Sequence, residues 1–278
     1  MIGFALRELG DPLRYVADAL LALTLAPRCA ACARALDRPT MGPVCETCWA
    51  NVNAIRPPVC HLCGDPLASW RTPDEVAPRC PRCQRRTNAL DACRAAGHYE
   101  GALRNVVHAF KYEGRRTLAS RLGGMLRDAG SDLLVGADCA VPVPLHPWRR
   151  FRRGFNQATD LARGLNLPVV HALWRTRATA PQTGLTAGRR RRNVRGAFSI
   201  SPLLSGRTRR SLITGRIVVL VDDVRTTGAT LEACAGVLIA AGVAEVRALT
   251  VARADLTPDH ARDTARRRRT TEARRHGV

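Results

Sequence analysis

One stretch limits the possible folds more than any other: Val218-Val219-Leu220-Val221-Asp222-Asp223-Val224-Arg225-Thr226-Thr227-Gly228-Ala229-Thr230. Four apolar residues, three of them β-branched, describe a strand buried inside a parallel sheet. Two carboxylates stand where that strand would leave the sheet, the place where open α/β sheets bind ligands. Hydroxyls and one glycine follow, and Leu231 to Ala241, rich in alanine and leucine, suits a helix. A Thr/Gly turn opening onto a helix N-terminus directs N–H groups and the positive dipole end at one spot, which suits a phosphate. The carboxylates could hold ribose hydroxyls or Mg²⁺. Together these groups describe a ribose-phosphate site. An acid strand of a P-loop ATPase would need G-x-x-x-x-G-K-[ST] elsewhere. The chain's one lysine, Lys111, is followed by Tyr112, which excludes that motif.

Four C-x-x-C pairs dominate the N-terminal third: Cys29/Cys32, Cys45/Cys48, Cys60/Cys63 and Cys80/Cys83. Such a knuckle offers two thiolates to one side of a tetrahedron, and a second knuckle closes a structural Cys₄ zinc site. Eight cysteines therefore make two Zn²⁺ sites with no open coordination position. Sequential pairing (first with second, third with fourth) and crossed pairing are both compatible with the spacing. Prolines between the pairs leave little regular structure, so zinc is expected to supply most of the folding energy, on the order of 10 kcal/mol per site. His61 lies between two ligands and is read as a neighbour or solvent residue. Cys93, Cys139 and Cys234 lack spaced partners and are read as small buried hydrophobes.

The formal net charge is +21, carried almost wholly by arginine. Codon bias explains arginine over lysine but not the excess of bases over acids, and a field of this sign attracts polyanions. No stretch reaches the ~20 apolar residues of a membrane span. Leu13 to Ala26 is interrupted by Arg14 and Asp18 and reads as an amphipathic helix rather than a signal peptide. These features predict a cytoplasmic protein whose cysteines are thiols or metal ligands.

The expected organisation is an N-terminal helix (1–26), a double zinc ribbon (27–90), an α/β domain (91–255) and a basic tail (256–278) expected to be disordered. Ala95 to Tyr99 reads as an edge strand. Ala102, Val106, Val107, Ala109 and Phe110 share a helical face that ends at Lys111. Lys111 is either a cation reaching a substrate anion or an exposed helix-end charge. Leu118 to Leu126 reads as a helix, Ala140 to Pro144 as a short strand, Leu167 to Trp174 as a second sheet strand, and Glu245 to Val251 as the last strand. The segment 145–157 reads as a loop with Arg149, Arg150, Arg152 and Arg153 among Trp148, Phe151 and Phe155. Arginine forks bind phosphate oxygens, and the rings could stack on unpaired bases. A further basic loop runs from Arg175 to Phe198, with Gln182 and Arg189, Arg190, Arg191 and Arg192. A loop of this length is functional or disordered, and the plain alternative is an exposed basic run that repels itself. Ser201 to Gly215 reads as a polar loop.

Asp222-Asp223 with Thr226 to Thr230 resembles the phosphoribosyl-pyrophosphate (PRPP) motif of type I phosphoribosyltransferases. From about Cys29 to Arg253 the chain resembles the ComF family of competence-associated, phosphoribosyltransferase-like proteins, including a family signature in Phe110-Lys111-Tyr112-Glu113-Gly114. The resemblance implies a Rossmann-like phosphoribosyltransferase fold behind a double zinc ribbon, with sequential pairing. It implies ribose or Mg²⁺ contacts from Asp222 and Asp223, and a 5′-phosphate cradle from Thr226, Thr227, Gly228, Ala229 and Thr230. It makes Lys111, Arg149, Arg152, Arg153, Gln182 and Arg189 to Arg192 candidates for pyrophosphate or nucleic acid. The segment 145–157 resembles the family's pyrophosphate loop, and 175–198 its mobile loop. Arg225 stands where a small or apolar residue is expected, and either charges the phosphate site or points to solvent. The implied role is DNA uptake and natural transformation, with PRPP and Mg²⁺ bound, single-stranded DNA as a partner, and DNA-uptake or recombination proteins as further partners. The alternative is an active transferase of nucleotide metabolism that releases pyrophosphate from PRPP. The residues name no acceptor.

Overall fold

The computed structural model describes residues 10–67, 78–85, 88–177, 196–204 and 206–254. The elements in order are α1 (Gly10–Leu25), a 3-10 turn (Pro39–Met41), α2 (Glu46–Ala50), α3 (Pro81–Gln84), β1 (Ala92–His98), α4 (Gly101–Tyr112), α5 (Leu118–Ala129), α6 (Ser131–Leu134), β2 (Cys139–Pro142), α7 (Pro147–Arg153), α8 (Gln157–Arg163), β3 (Leu173–Arg175), β4 (Phe198–Ile200), α9 (Gly206–Leu212), β5 (Ile217–Arg225), α10 (Ala229–Ala240) and β6 (Glu245–Arg253). No described helix is long and apolar enough to cross a membrane.

Four parallel strands form the main sheet in the order β1-β6-β5-β2. Parallel neighbours need crossover connections, which bring helices onto both faces. Alternation along β5 divides the core accordingly. Val219 and Val221 face Leu103, Val106, Phe110, Leu122, Leu126 and Leu161 of α4, α5 and α8. Val218 and Leu220 face Leu231, Cys234, Ala235 and Leu238 of α10. Cys93, Cys139 and Cys234 are all buried, as expected.

Three sequence expectations change. Leu167 to Trp174 does not form a strand of the main sheet. Val169 makes one bridge to Ala140, and Pro168 has no N–H to extend a ladder. Leu173–Arg175 instead pairs antiparallel with Phe198–Ile200 in a separate ribbon. The expected loops at 145–157 and 201–215 each contain a seven-residue helix, α7 and α9. Pro147 favours the first turn of α7, since its missing N–H is one that a helix start leaves unpaired.

Ahead of the sheet, the two cysteine-rich ribbons repeat one local design. Cys29 N–H donates to the Arg34 carbonyl and Ala33 N–H to the Cys29 carbonyl. In the second ribbon Cys60 pairs with Asp65, and Gly64 with Cys60, in the same way. Ala33 and Gly64 both adopt positive φ, 60° and 65°. The first ribbon leads into Asn53–Ile55, which pairs along the free edge of β1 through Ile55 N–H to the Ala96 carbonyl and His98 N–H to the Asn53 carbonyl. That pairing covers an otherwise open sheet edge. The second ribbon sits against the start of β1, where a Cβ on Gly64 would lie 2.4 Å from the Cys93 carbonyl oxygen.

Candidate functional site

β5 carries its two carboxylates to the C-terminal edge of the sheet. Asp222 is level with Thr250 of β6, and its Oδ1 accepts the Asp223 N–H at 2.8 Å. Helix α4 runs from the end of β1 and brings Lys111 Nζ to 2.8 Å from Asp223 Oδ1. The lysine is thus neither exposed nor free: Asp223 holds it. Burial alone would favour its neutral amine, but the Asp223 carboxylate outweighs burial and raises the Lys111 pKa. Asp222 is pushed up to about 7, first by desolvation and then by the charge of Asp223, against the pull of Lys111 and Arg175.

Beyond Arg225 the chain turns through Thr226, Thr227 and Gly228 into α10. Gly228 holds φ +78° just before the helix, a conformation that disfavours a side chain. Thr227 Oγ1 accepts the Ala229 N–H at 3.3 Å, and Ala229 is buried beneath the turn. Hydroxyls and the start of a twelve-residue helix therefore lie one turn from the two carboxylates.

A basic and aromatic flank adjoins Lys111. Arg153 lies 4.7 Å over the Tyr112 ring and donates to Gln157 Oε1 at 3.2 Å. Gln157 Nε2 in turn donates to the Lys111 carbonyl. Asn156 caps α8 by accepting the Ala158 N–H and anchors to the Val143 carbonyl. On α7, Trp148 and Phe151 are exposed at 62% and 83% and share a face by their three-residue spacing. Lys111, Arg153, Asp222, Asp223 and the Thr226–Thr230 turn are described. The side chains of Arg149 and Arg152, and all of Gln182 and Arg189 to Arg192, lie outside the described residues.

The eight knuckle cysteines gather as Cys29/Cys32/Cys45/Cys48 and Cys60/Cys63/Cys80/Cys83, so the pairing is sequential. Sulfur separations are 3.8 Å for Cys29–Cys48 and for Cys32–Cys45, and 3.6 Å for Cys63–Cys80. A tetrahedron of Zn–S bonds near 2.3 Å has edges of about 3.8 Å, so both clusters fit Zn²⁺. Backbone N–H groups of Ala31 and Cys45 point at Cys29 Sγ, and that of Cys80 at Cys60 Sγ. Burial opposes ionisation of Cys29, yet these donors hold its pKa down at about 6. His61 is exposed and belongs to neither cluster.

Arg225 departs from both sequence expectations. It is the last residue of β5 and is only 6% exposed, its side chain running beneath the turn with Nε 3.6 Å from where a Cβ on Gly228 would stand. Its guanidinium donates to the Cys63 carbonyl and lies 3.5 Å from Cys93 Sγ and 3.0 Å from Asp65 Oδ1. Asp65 also pairs with Arg82 at 3.0 Å and Arg253 at 3.2 Å. Nothing in the spacing of Asp65 marks it in the sequence. The one available hint is the ribbon repeat, in which Arg34 occupies its place.

Two carboxylates at the end of a parallel strand, beside a Thr/Gly turn and behind two Cys₄ ribbons, define a phosphoribosyltransferase-type α/β domain joined to a double zinc ribbon. Residues 151–274 match the phosphoribosyl transferase domain family and residues 20–84 the double zinc ribbon domain family. The chain is 33% identical over 221 residues to competence protein F of Haemophilus influenzae, covering 76% of this chain and 90% of that protein. It is 31% identical to the DNA utilization protein YhgH of Escherichia coli (73% and 87% covered) and 27% identical to competence protein ComFC of Bacillus subtilis (76% and 84% covered). The chain belongs to the ComF family of competence-associated, phosphoribosyltransferase-like proteins.

Proposed function

We propose that this protein acts in DNA uptake and natural transformation, binding PRPP with Mg²⁺ at the end of β5 and single-stranded DNA on the adjoining basic flank. The observation that carries the reading is the juxtaposition of Asp222 and Asp223 with the Thr226–Thr230 turn at the start of α10. In this reading the carboxylates receive the ribose hydroxyls or the Mg²⁺ that accompanies the pyrophosphate. The metal supplies positive charge to phosphate oxygens that the two carboxylates alone would repel. Thr226, Thr227 and Thr230 offer hydroxyls to the 5′-phosphate, and the N-terminus of α10 adds backbone donors. Lys111 neutralises Asp223 before ligand arrives and stands ready to face the incoming anion.

The DNA assignment is supported by the net charge of +21 and by exposed Trp148, Phe151 and Tyr112 beside arginines. Aromatic faces accept unpaired bases of any sequence, and guanidinium groups follow the phosphates. The names of the relatives, competence protein F and DNA utilization protein, favour uptake and use of DNA as the setting. The test is calorimetric titration of PRPP into zinc-loaded protein with and without Mg²⁺. Micromolar binding that requires Mg²⁺ supports the reading, and a search for released pyrophosphate then decides whether turnover occurs. Absence of binding by well-folded protein removes PRPP from the account.

A further inference from the structure

The two ribbons share a knuckle fold, and they differ at the residue that follows its positive-φ position. In the first ribbon Arg34 is exposed there. In the second, Asp65 is 15% exposed by side chain and meets three guanidinium groups. Arg82 belongs to α3, between the ligand residues Cys80 and Cys83. Arg225 and Arg253 are the last residues of β5 and β6 and are register partners in the sheet. Arg225 also donates to the carbonyl of Cys63, itself a knuckle residue.

We propose that Asp65 couples metal occupancy of the second ribbon to the ribose-phosphate site at the end of β5. Arg225 lies two residues after Asp223 and one before Thr226, so its position sets both the carboxylates and the turn. Metal holds the Cys63 carbonyl and Asp65 in the geometry that grips Arg225. A knuckle released from metal frees that grip and leaves a buried guanidinium with only the Cys93 sulfur of β1 beside it, an arrangement the fold cannot keep unchanged. The first ribbon has no such link to β5 among the described residues. It docks through Asn105 to the Ala31 carbonyl and Asn53 to Glu100, against α4 and the end of β1. Coupling between two sites is reciprocal in binding free energy, so PRPP with Mg²⁺ in turn tightens zinc in the second ribbon and not in the first. This inference rests on the PRPP reading above.

The experiment uses zinc-loaded full-length chain and follows zinc transfer to a chromophoric chelator, with and without PRPP and Mg²⁺. Wild-type protein is expected to release its two ions in separable phases, with ligand slowing the second-ribbon phase about tenfold, a typical coupling. Cys29→Ser, which lacks the first cluster, assigns that phase. Asp65→Asn is expected to keep two zinc ions, bind PRPP about tenfold more weakly and lose the ligand's protection of zinc. Arg34→Gln, at the matching position of the first ribbon, should change neither. Should Asp65→Asn fail to hold two ions, Arg225→Lys keeps the charge but loses the fork to Cys63 and Asp65, and is read in the same way. Equal PRPP affinity and equal protection in a zinc-replete variant overturn the coupling while leaving the PRPP site standing. Failure of wild-type protein to bind PRPP overturns both.

Discussion

Lys111 at the end of α4 and Asp223 near the end of β5 form an ion pair at 2.8 Å, with both side chains about 15% exposed. The neighbouring Asp222 is pushed up to about 7 by burial and by the charge of Asp223, against the pull of Lys111. Ligation of a cation or ribose through Asp222 needs its ionised form. PRPP affinity in the presence of Mg²⁺ is therefore expected to rise up to about tenfold per unit below pH 7 and to level off above it. Calorimetry from pH 6 to pH 8.5 measures this profile, and a flat one would separate Asp222 from binding.

Removing the lysine takes the ion-pair partner from Asp223 and a favourable charge from Asp222. In Lys111→Met the midpoint of that pH profile is expected to move upward by about one unit, because two adjacent carboxyls resist ionising together. A midpoint that stays in place would show that Lys111 does not set the charge of the site.

Asp222→Asn with Asp223→Asn is expected to abolish Mg²⁺-dependent PRPP binding while preserving the fold. The stability of Asp222→Asn alone carries a sign. Folding raises this carboxyl from 3.8 to about 7, so the folded chain retains a proton that the unfolded chain has lost. Its contribution to stability is greatest below pH ~4 and declines as pH rises toward 7. The single variant should therefore melt no lower than wild type at pH 8, by scanning calorimetry.

Each Cys₄ cluster is expected to hold one zinc. Metal analysis should give about two ions per wild-type chain, and about one in Cys32→Ser or in Cys83→Ser. Chelation should unfold the ribbons, since site energies on the order of 10 kcal/mol exceed what their small core provides. A stoichiometry of one in wild type would contradict the paired clusters.

Gly64 and Ala33 occupy equivalent places, yet Ala33 is exposed whereas Gly64 is packed against the backbone of Cys93. Gly64→Ala adds a left-handed penalty of roughly 1–2 kcal/mol to a collision with the Cys93 carbonyl. Ala33→Gly relieves the same backbone strain with no collision at stake. Denaturant unfolding should show the first variant destabilised by more than about 2 kcal/mol and the second changed by less than about 1 kcal/mol.

If the flank of α7 receives bases, Trp148→Ala with Phe151→Ala should weaken single-stranded DNA binding by about 1–3 kcal/mol per lost stacked base. Affinity in wild type should fall steeply between low and physiological salt. Fluorescence anisotropy with a labelled oligonucleotide tests both, and a double variant that binds like wild type would place the contact elsewhere.

The β5 stretch, its helix and the four knuckles were legible in the sequence because each is a local pattern. Apolar continuity marks a doubly covered strand, and two-residue spacing within a C-x-x-C pair marks a tetrahedral corner. The edge strand β1 was readable for the same reason. Leu167 to Trp174 was misread because apolar content does not reveal that Pro168 interrupts a ladder. The helices α7 and α9 were missed because each is only seven residues long, too short for its period to stand out.

By itself, then, the sequence determined a parallel-sheet domain ending in two carboxylates and a module built for two zinc ions. Tertiary structure alone decided which charges meet. Lys111 reaches Asp223 across 112 residues of chain, and Asp65 reaches Arg225 across 160. Charged side chains carry no periodic signature, and an arginine suited to phosphate is equally suited to a buried carboxylate. Only the crossing of α4 over the sheet edge, and the seating of the second ribbon on β1, select one partner from the many the composition allows.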